Sequence, residues 1–154
     1  MTPTACTPTD FLQILDDIDD FWGSDRTLHL HHPMFVHEFG DTAFVMREAT
    51  RVVAYLFGFI SQTRPEGYIH LVAVRGPYAR RGLGRRLYAH FSDVVRGRGC
   101  HALKAITTAS NRQSVAFHKT LGFALEGVAR GEEVPVVADY AGPGRGRVVF
   151  RRPL

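Results

Sequence analysis

Val72-Ala73-Val74-Arg75-Gly76-Pro77-Tyr78-Ala79-Arg80-Arg81-Gly82-Leu83-Gly84-Arg85-Arg86-Leu87 is the stretch from which the fold can be read. An apolar, β-branched run enters a basic glycine turn. From Leu83 onward Leu87, Phe91, Val94 and Val95 then recur on one helical face until Gly97 and Gly99. The order is strand, glycine loop, helix. Gly82 and Gly84 leave backbone N–H groups open at the positive end of a helix, an arrangement that binds phosphate. Arg80, Arg81 and Arg85 add charge around the same point. Two other phosphate loops fail on the residues. A Walker A loop needs Gly-Lys-Ser/Thr, and a dinucleotide fingerprint needs a third glycine where Leu87 stands and an acid where Thr107-Thr108 stand. The same glycines also suit a tight strand-to-helix turn with no ligand.

Upstream, Thr42–Glu48, Val52–Ser61 and Tyr68–Val74 are rich in β-branched and aromatic residues and predict an antiparallel meander. Before them, Phe11, Leu12, Ile14, Leu15, Ile18 and Phe21 predict one helix stopping at Gly23, and Pro33 predicts a short second helix through Phe39 ended by Gly40. Downstream, Ala102–Thr107 reads as a strand, and Ser110 with Gln113 as a capping box opening a helix that stops at Gly122. Phe123–Val128, Val134–Ala138 and Arg147–Arg152 read as later strands, with Pro135 weakening the middle one.

The chain has 154 residues, 45% hydrophobic and 11% aromatic, which fits one domain spanning 1–154 and enough apolar side chain for a core. Cys6 and Cys100 form no paired motif, so neither a disulfide framework nor a zinc site is implied and a reducing compartment fits. No apolar run is long enough to span a bilayer and no signal-like segment opens the chain, so the expected location is the cytoplasm. Charge is divided unevenly. Seven arginines between 75 and 99 face only Asp93, a local balance of +6, whereas nine acids in the first fifty residues face Arg26 and Arg47, a balance of −7. The arginines point to an anionic ligand, without the interleaved aromatics of a nucleic-acid surface. His29, His31 and His32 have no companion at metal-ligand spacing, so no metal is expected.

Val74, the Tyr78–Gly84 run, Asn111, Phe117, Leu121, Gly122 and Phe123 together resemble the acetyl-CoA signature of the GNAT superfamily of N-acetyltransferases. The resemblance covers residues 42–123 and implies an α/β (α+β) fold, a mixed, mainly antiparallel sheet of six to seven strands with helices on both faces. It implies acetyl-CoA as co-substrate, with Ala79, Arg80, Arg81, Gly82, Leu83, Gly84 and Arg85 around its phosphates. Val72, Ala73 and Val74 would run beside its pantetheine, and Asn111, Ser114, Phe117 and His118 would flank it. Ala79 stands where the family has Gln or Arg, so one side-chain contact is lost while the backbone cradle remains. His118 stands where the family has a tyrosine near the thioester sulfur.

Acetyl transfer to an amine needs an ordered thioester, a neutral amine, a proton donor for sulfur and hydrogen bonds to the developing oxyanion. His70 shares strand parity with Tyr68, Val72 and Val74 and is the candidate base; His118 is the candidate donor, with Tyr140 as the alternative. Each histidine also reads as a packed or surface side chain. Asp19, Asp20, Trp22, Phe35 and Tyr68 are the candidate acceptor-binding residues, because acids among aromatics suit an amine. The acidic front half favours a cationic small molecule, aminoglycoside- or polyamine-like, over a protein amino group. A catalytically silent acyl-CoA-binding module is the reading from another class, and a homodimer is compatible with all of these.

Overall fold

The computed structural model describes residues 1–131 and 133–154. Thr7 and Asp10 cap one another: the Asp10 N–H donates to Thr7 Oγ1 at 3.1 Å and the Thr7 N–H donates to Asp10 Oδ2 at 2.8 Å. This box opens α1 (Pro8–Asp16). The expected single helix divides at Asp17, and α2 (Ile18–Trp22) follows, closed by Gly23 in the left-handed region. The break turns Asp17 and Asp20 toward one buried arginine, Arg75, and leaves Leu12 exposed instead of on the buried face. Pro33 precedes α3 (Met34–His37), which is shorter than expected; Gly40 opens a 3-10 turn, Gly40–Thr42.

Seven strands form one sheet in the order β1-β2-β3-β4-β5-β7-β6. They are β1 (Thr4–Ala5), β2 (Ala43–Glu48), β3 (Arg51–Ile60), β4 (Glu66–Val74), β5 (Ala102–Thr107), β6 (Ala124–Leu125) and β7 (Val148–Pro153). Only β4 and β5 are parallel neighbours; the other pairs are antiparallel, including the expected β2–β3–β4 meander. The mainly antiparallel sheet with helices on both faces is the architecture the sequence predicts. β1 has no sequence signal of its own and exists by pairing with the edge of β2, Thr4 opposite Val45. The last expected strand forms at full length as β7, whereas Phe123–Val128 shortens to β6. Val134–Ala138 contributes only single bridges, Val136 to Val128 and Val137 to Arg147, beside a proline that has no N–H to give.

α4 (Leu83–Gly97) and α5 (Arg112–Thr120) cover one face, where Leu87, Tyr88, Phe91 and Val95 pack on Leu56, Ile69 and Leu103. The cap of α5 is Asn111, whose Oδ1 accepts from the Ser114 N–H at 3.1 Å, rather than Ser110. The N-terminal helices cover the other face through Phe11, Ile14, Phe35 and Val36 against Val45, Tyr55 and Phe57. α4 lies close to the sheet because two strand positions carry no side chain. A Cβ at Gly58 would stand 2.5 Å from the Tyr68 carbonyl oxygen and 2.7 Å from Phe91, and one at Gly67 would stand 2.8 Å from Val95. Gly58→Ala is therefore expected to lower stability by about 1–3 kcal/mol, the range for overpacking. Urea denaturation measures this, and a wild-type midpoint would show that α4 can shift at no cost.

Candidate functional site

The parallel ladder between β4 and β5 begins at Glu66 opposite Ala102 and stops at Ile69 opposite Ala105. Beyond it the two strands part, so Leu71–Val74 keeps a partner only on β3, and Ile106 and Thr107 only on β7. The gap is the separation the family resemblance implies beside the 72–74 segment. The β3–β4 register also slips here: Gly58 faces Ile69 but Phe57 faces Leu71, so His70 is an extra residue with no partner across the ladder. This bulge leaves His70 on the face of Tyr68, as expected, but separates it from Val72 and Val74, with which a regular strand would align it. Val72 and Val74 pack toward α4, whereas the His70 ring lies on Phe35, centroids 4.6 Å apart at 12°, on the side of the N-terminal helices.

His70 Nε2 is 2.9 Å from the Leu30 carbonyl oxygen, which can only accept, so this nitrogen carries the proton and donates. Nδ1 keeps its lone pair. Burial holds the His70 pKa below the ordinary histidine value, so at neutral pH the ring is an uncharged base.

At the end of β4 the chain makes a 3-10 turn, Gly76–Tyr78, and reaches α4 through Arg80 at φ +61° and Gly82 at φ +78°. The first helical hydrogen bond is from Arg86 N–H to the Gly82 carbonyl, 3.1 Å. The N–H groups of residues 80–85 find no acceptor among the described residues. Of the seven local arginines, Arg75, Arg96 and Arg98 are matched by acids, and Arg86 donates to the Met1 carbonyl. Arg80, Arg81 and Arg85 are exposed beside the open amides, with Arg81 over the Tyr78 ring. Gly84 has a packing reason as well: a Cβ there would meet Phe117 at 3.2 Å, so the glycine lets α5 approach the loop. Phe117 thus lies against the cradle, and Asn111 and Ser114 belong to the opening turn of the same helix.

His118 does not face that cleft. Its Nδ1 donates to the Ser114 carbonyl at 2.8 Å, its Nε2 accepts from the Tyr88 hydroxyl at 2.6 Å, and its ring stacks on Phe150 at 4.1 Å. With both nitrogens engaged, buried, and with its pKa lowered by that burial, it is a packed core histidine. Nothing in the helix's own sequence reveals this, because Tyr88 and Phe150 belong to other elements.

The acceptor-side candidates divide in two. Phe35 and Tyr68 lie on the same face as His70, with Tyr140 near Tyr68. Asp20 instead accepts from Arg75 at 2.8 Å, and Trp22 donates to the Tyr55 hydroxyl at 2.7 Å; both serve the internal framework. Asp19 is exposed. The acids that favoured a cationic acceptor are largely engaged: Asp17 and Asp20 by Arg75, Asp10 by Arg47, Asp41 by Arg98 and Glu48 by Tyr78. Sequence reading missed Lys104, which sits half-buried across from Tyr68 with its ammonium 5.2 Å from the Tyr140 ring centroid. Alternation in Leu103-Lys104-Ala105 was the available signal. Among the described residues no group of three His, Cys, Asp or Glu side chains could hold a metal, and no helix is long and apolar enough to cross a membrane.

The family model described as "Acetyltransferase (GNAT) family" matches residues 10–123. No curated protein matches the chain. Among solved structures, it is similar to the ribosomal-protein-S18-alanine N-acetyltransferase of Escherichia coli, at 20% identity and TM-score 0.68 over 99% of this chain and 92% of that one. Ard1 of Thermoplasma volcanium matches at 19% identity and TM-score 0.73 over 99% and 97%. An aminoglycoside 6'-acetyltransferase type Ii matches at 15% and 0.71 over 99% and 97%. At these identities the likeness is one of fold.

Three histidines withdrawn from water, His31 and His118 buried and His70 half-buried, give the fold a pH limit. His31, like His118, has both nitrogens engaged, Nδ1 with the Thr27 carbonyl and Nε2 with the Tyr55 hydroxyl, and its pKa is also lowered by burial. The unfolded chain takes up protons at the ordinary value of 6.5, where the native histidines resist them. Stability is therefore complete above pH 6.5 and declines as pH falls below it, by up to about 1.4 kcal/mol per pH unit for each histidine. Urea denaturation from pH 7.5 to 5.5 should show this slope, and His118→Phe should reduce it. A flat profile would contradict the assigned neutral state.

Proposed function

The chain belongs to the GNAT acetyltransferase family, and we propose that it is a single-domain enzyme, spanning residues 1–154, that moves an acetyl group from acetyl-CoA directly to the primary amine of a small molecule. The observation carrying this reading is the run of unpaired amides at residues 80–85, ringed by arginines and set beside the opening between β4 and β5. These residues suit a pyrophosphate, with the backbone supplying close donors and Arg80, Arg81 and Arg85 supplying charge. The unpaired edge of β4 from Val72 to Val74 offers backbone groups to an amide-containing arm, with Asn111, Ser114 and Phe117 alongside. Bound acetyl-CoA supplies an activated acyl thioester.

His70 takes the proton that the attacking amine must lose, at Nδ1 and directly or through water, while the Leu30 carbonyl fixes the ring by holding Nε2–H. In the transfer a C–N bond forms, the C–S bond breaks, and the sulfur leaves with the electron pair. His118 is assigned no proton. Tyr140 is the donor on this face, and water can replace it because a thiol of pKa near ~8.5 is already a fair leaving group.

Two measurements test this. Gly84→Asp puts bulk and negative charge into the cradle and should weaken coenzyme A binding at least ~100-fold in calorimetric titration. Because Phe117 must give way in that variant, Arg80→Glu/Arg85→Glu, on exposed side chains, is its companion and should lose at least ~10-fold. Wild-type affinity in both folded variants would remove the cradle from the reading. His70→Ala should lower thiol release from acetyl-CoA roughly 100-fold at pH 7–8, converging on wild type at higher pH where more of the amine is neutral, with acetyl-CoA binding unchanged. Parallel pH–rate profiles would make His70 a packing residue, and no release with any amine would favour a silent acyl-CoA-binding module.

A further inference from the structure

On the face of the sheet that carries His70, a groove of about 450 Å³ runs over the paired half of β4 and β5. One row of side chains crosses it in register: Phe59, Tyr68, Lys104 and Arg151, each opposite the next. The charges in this row are not equally matched. Arg151 binds Glu66, 3.2 Å away, and Glu126, so both acids of the groove are already engaged. Lys104 is half-buried beside that guanidinium and pairs with no carboxylate among the described residues. The Tyr140 ring lies against its ammonium, and the Tyr68 phenol stands across the ladder, held protonated because burial pushes its pKa up to about 12. One partly desolvated cation with a phenolic hydroxyl across the ladder makes a donor pair without an anion.

We propose that Lys104 and Tyr68 bind a carboxylate carried by the acceptor, so that the amine acetylated belongs to an amino-carboxylate, an amino acid or a close analogue. This rests on the acetyltransferase reading and specifies its substrate class. One ammonium with one protonated phenol matches a monoanion better than a phosphate dianion. The spacing also fits. His70 lies two residues along β4 from Tyr68, and Lys104 is one strand over, roughly 7 Å along and 5 Å across. A carboxylate at Lys104 therefore leaves an amine a few bonds away near His70. A polycation would instead place charge against an unmatched lysine.

The experiment is thiol release from acetyl-CoA with matched acceptors: amino acids, their methyl esters and their decarboxylated amines, together with carboxylate-free diamines. The expected result is that esterification or decarboxylation lowers kcat/KM roughly 10–100-fold, the range for a charged hydrogen bond. Lys104→Gln should abolish that discrimination and Lys104→Arg should restore most of it, both with wild-type acetyl-CoA affinity by calorimetry. Titration of the acetylated amino acid into the coenzyme A complex should show the same loss in Lys104→Gln, independently of turnover. Release with diamines alone, or equal use of acids and esters, overturns the carboxylate site and leaves the transferase reading standing. No release with any member, while acetyl-CoA still binds, overturns both.

Discussion

Arg75 is the charge on which the arrangement of the site depends. It is almost wholly buried at the end of β4, and every donor it turns inward is answered: Nε by the Val52 carbonyl at 2.6 Å, the two terminal nitrogens by Asp20 at 2.8 Å and Asp17 at 2.6 Å. Phe21 lies under the guanidinium, 4.5 Å from its centre, and the backbone N–H of Arg75 donates to Val53. A buried cation of this kind is tolerated only with its partners in place, and losing one typically costs 3–5 kcal/mol. The division of the first helix at Asp17 follows from that demand. So does the position of the Gly76–Tyr78 turn, which starts immediately after the residue that is pinned and leads into the amide loop.

This interaction also explains why formal charge misleads here. Arg75 contributes to the basic cluster in sequence and Asp17 and Asp20 to the acidic front half, yet in the fold they cancel in one buried contact. What remains exposed near the loop is Arg80, Arg81 and Arg85, and what remains unmatched on the opposite face is Lys104. The segmental balances pointed to an anion at the loop, where exposed arginines stand beside open amides, and to a cation in the front half, where most of the acids are already engaged.

The loop and the helix after it were legible because their causes are local. Gly82 needs a positive φ and Leu83 to Val95 repeat at helical spacing, whereas the pattern put the cap of the last helix at Ser110, one residue before the Asn111 that makes it. The bulge at His70 was not legible, since it is a mismatch of count between β3 and β4 and neither strand contains it alone. Nor was the burial of His118, decided by Tyr88 and Phe150 far along the chain. β1 is the same kind of case: two residues with no strand pattern are ordered by the edge they cover and by Arg47, which reaches Thr4, Ala5 and Asp10.

The seating of α4 on Gly58 and Gly67 has a consequence at the helix's other end. Fifteen residues make a rod roughly 22 Å long, and its C-terminal half is keyed into the sheet by Phe91 and Val95, where no side chain on β3 or β4 intervenes. Its free amides are therefore held still by contacts remote from them. A ligand arriving at the N-terminus meets donors already aimed, and little of its binding energy is diverted into ordering the protein. On the proposed reading, the tightness of a phosphate site at this helix end is set by two glycines that never touch it.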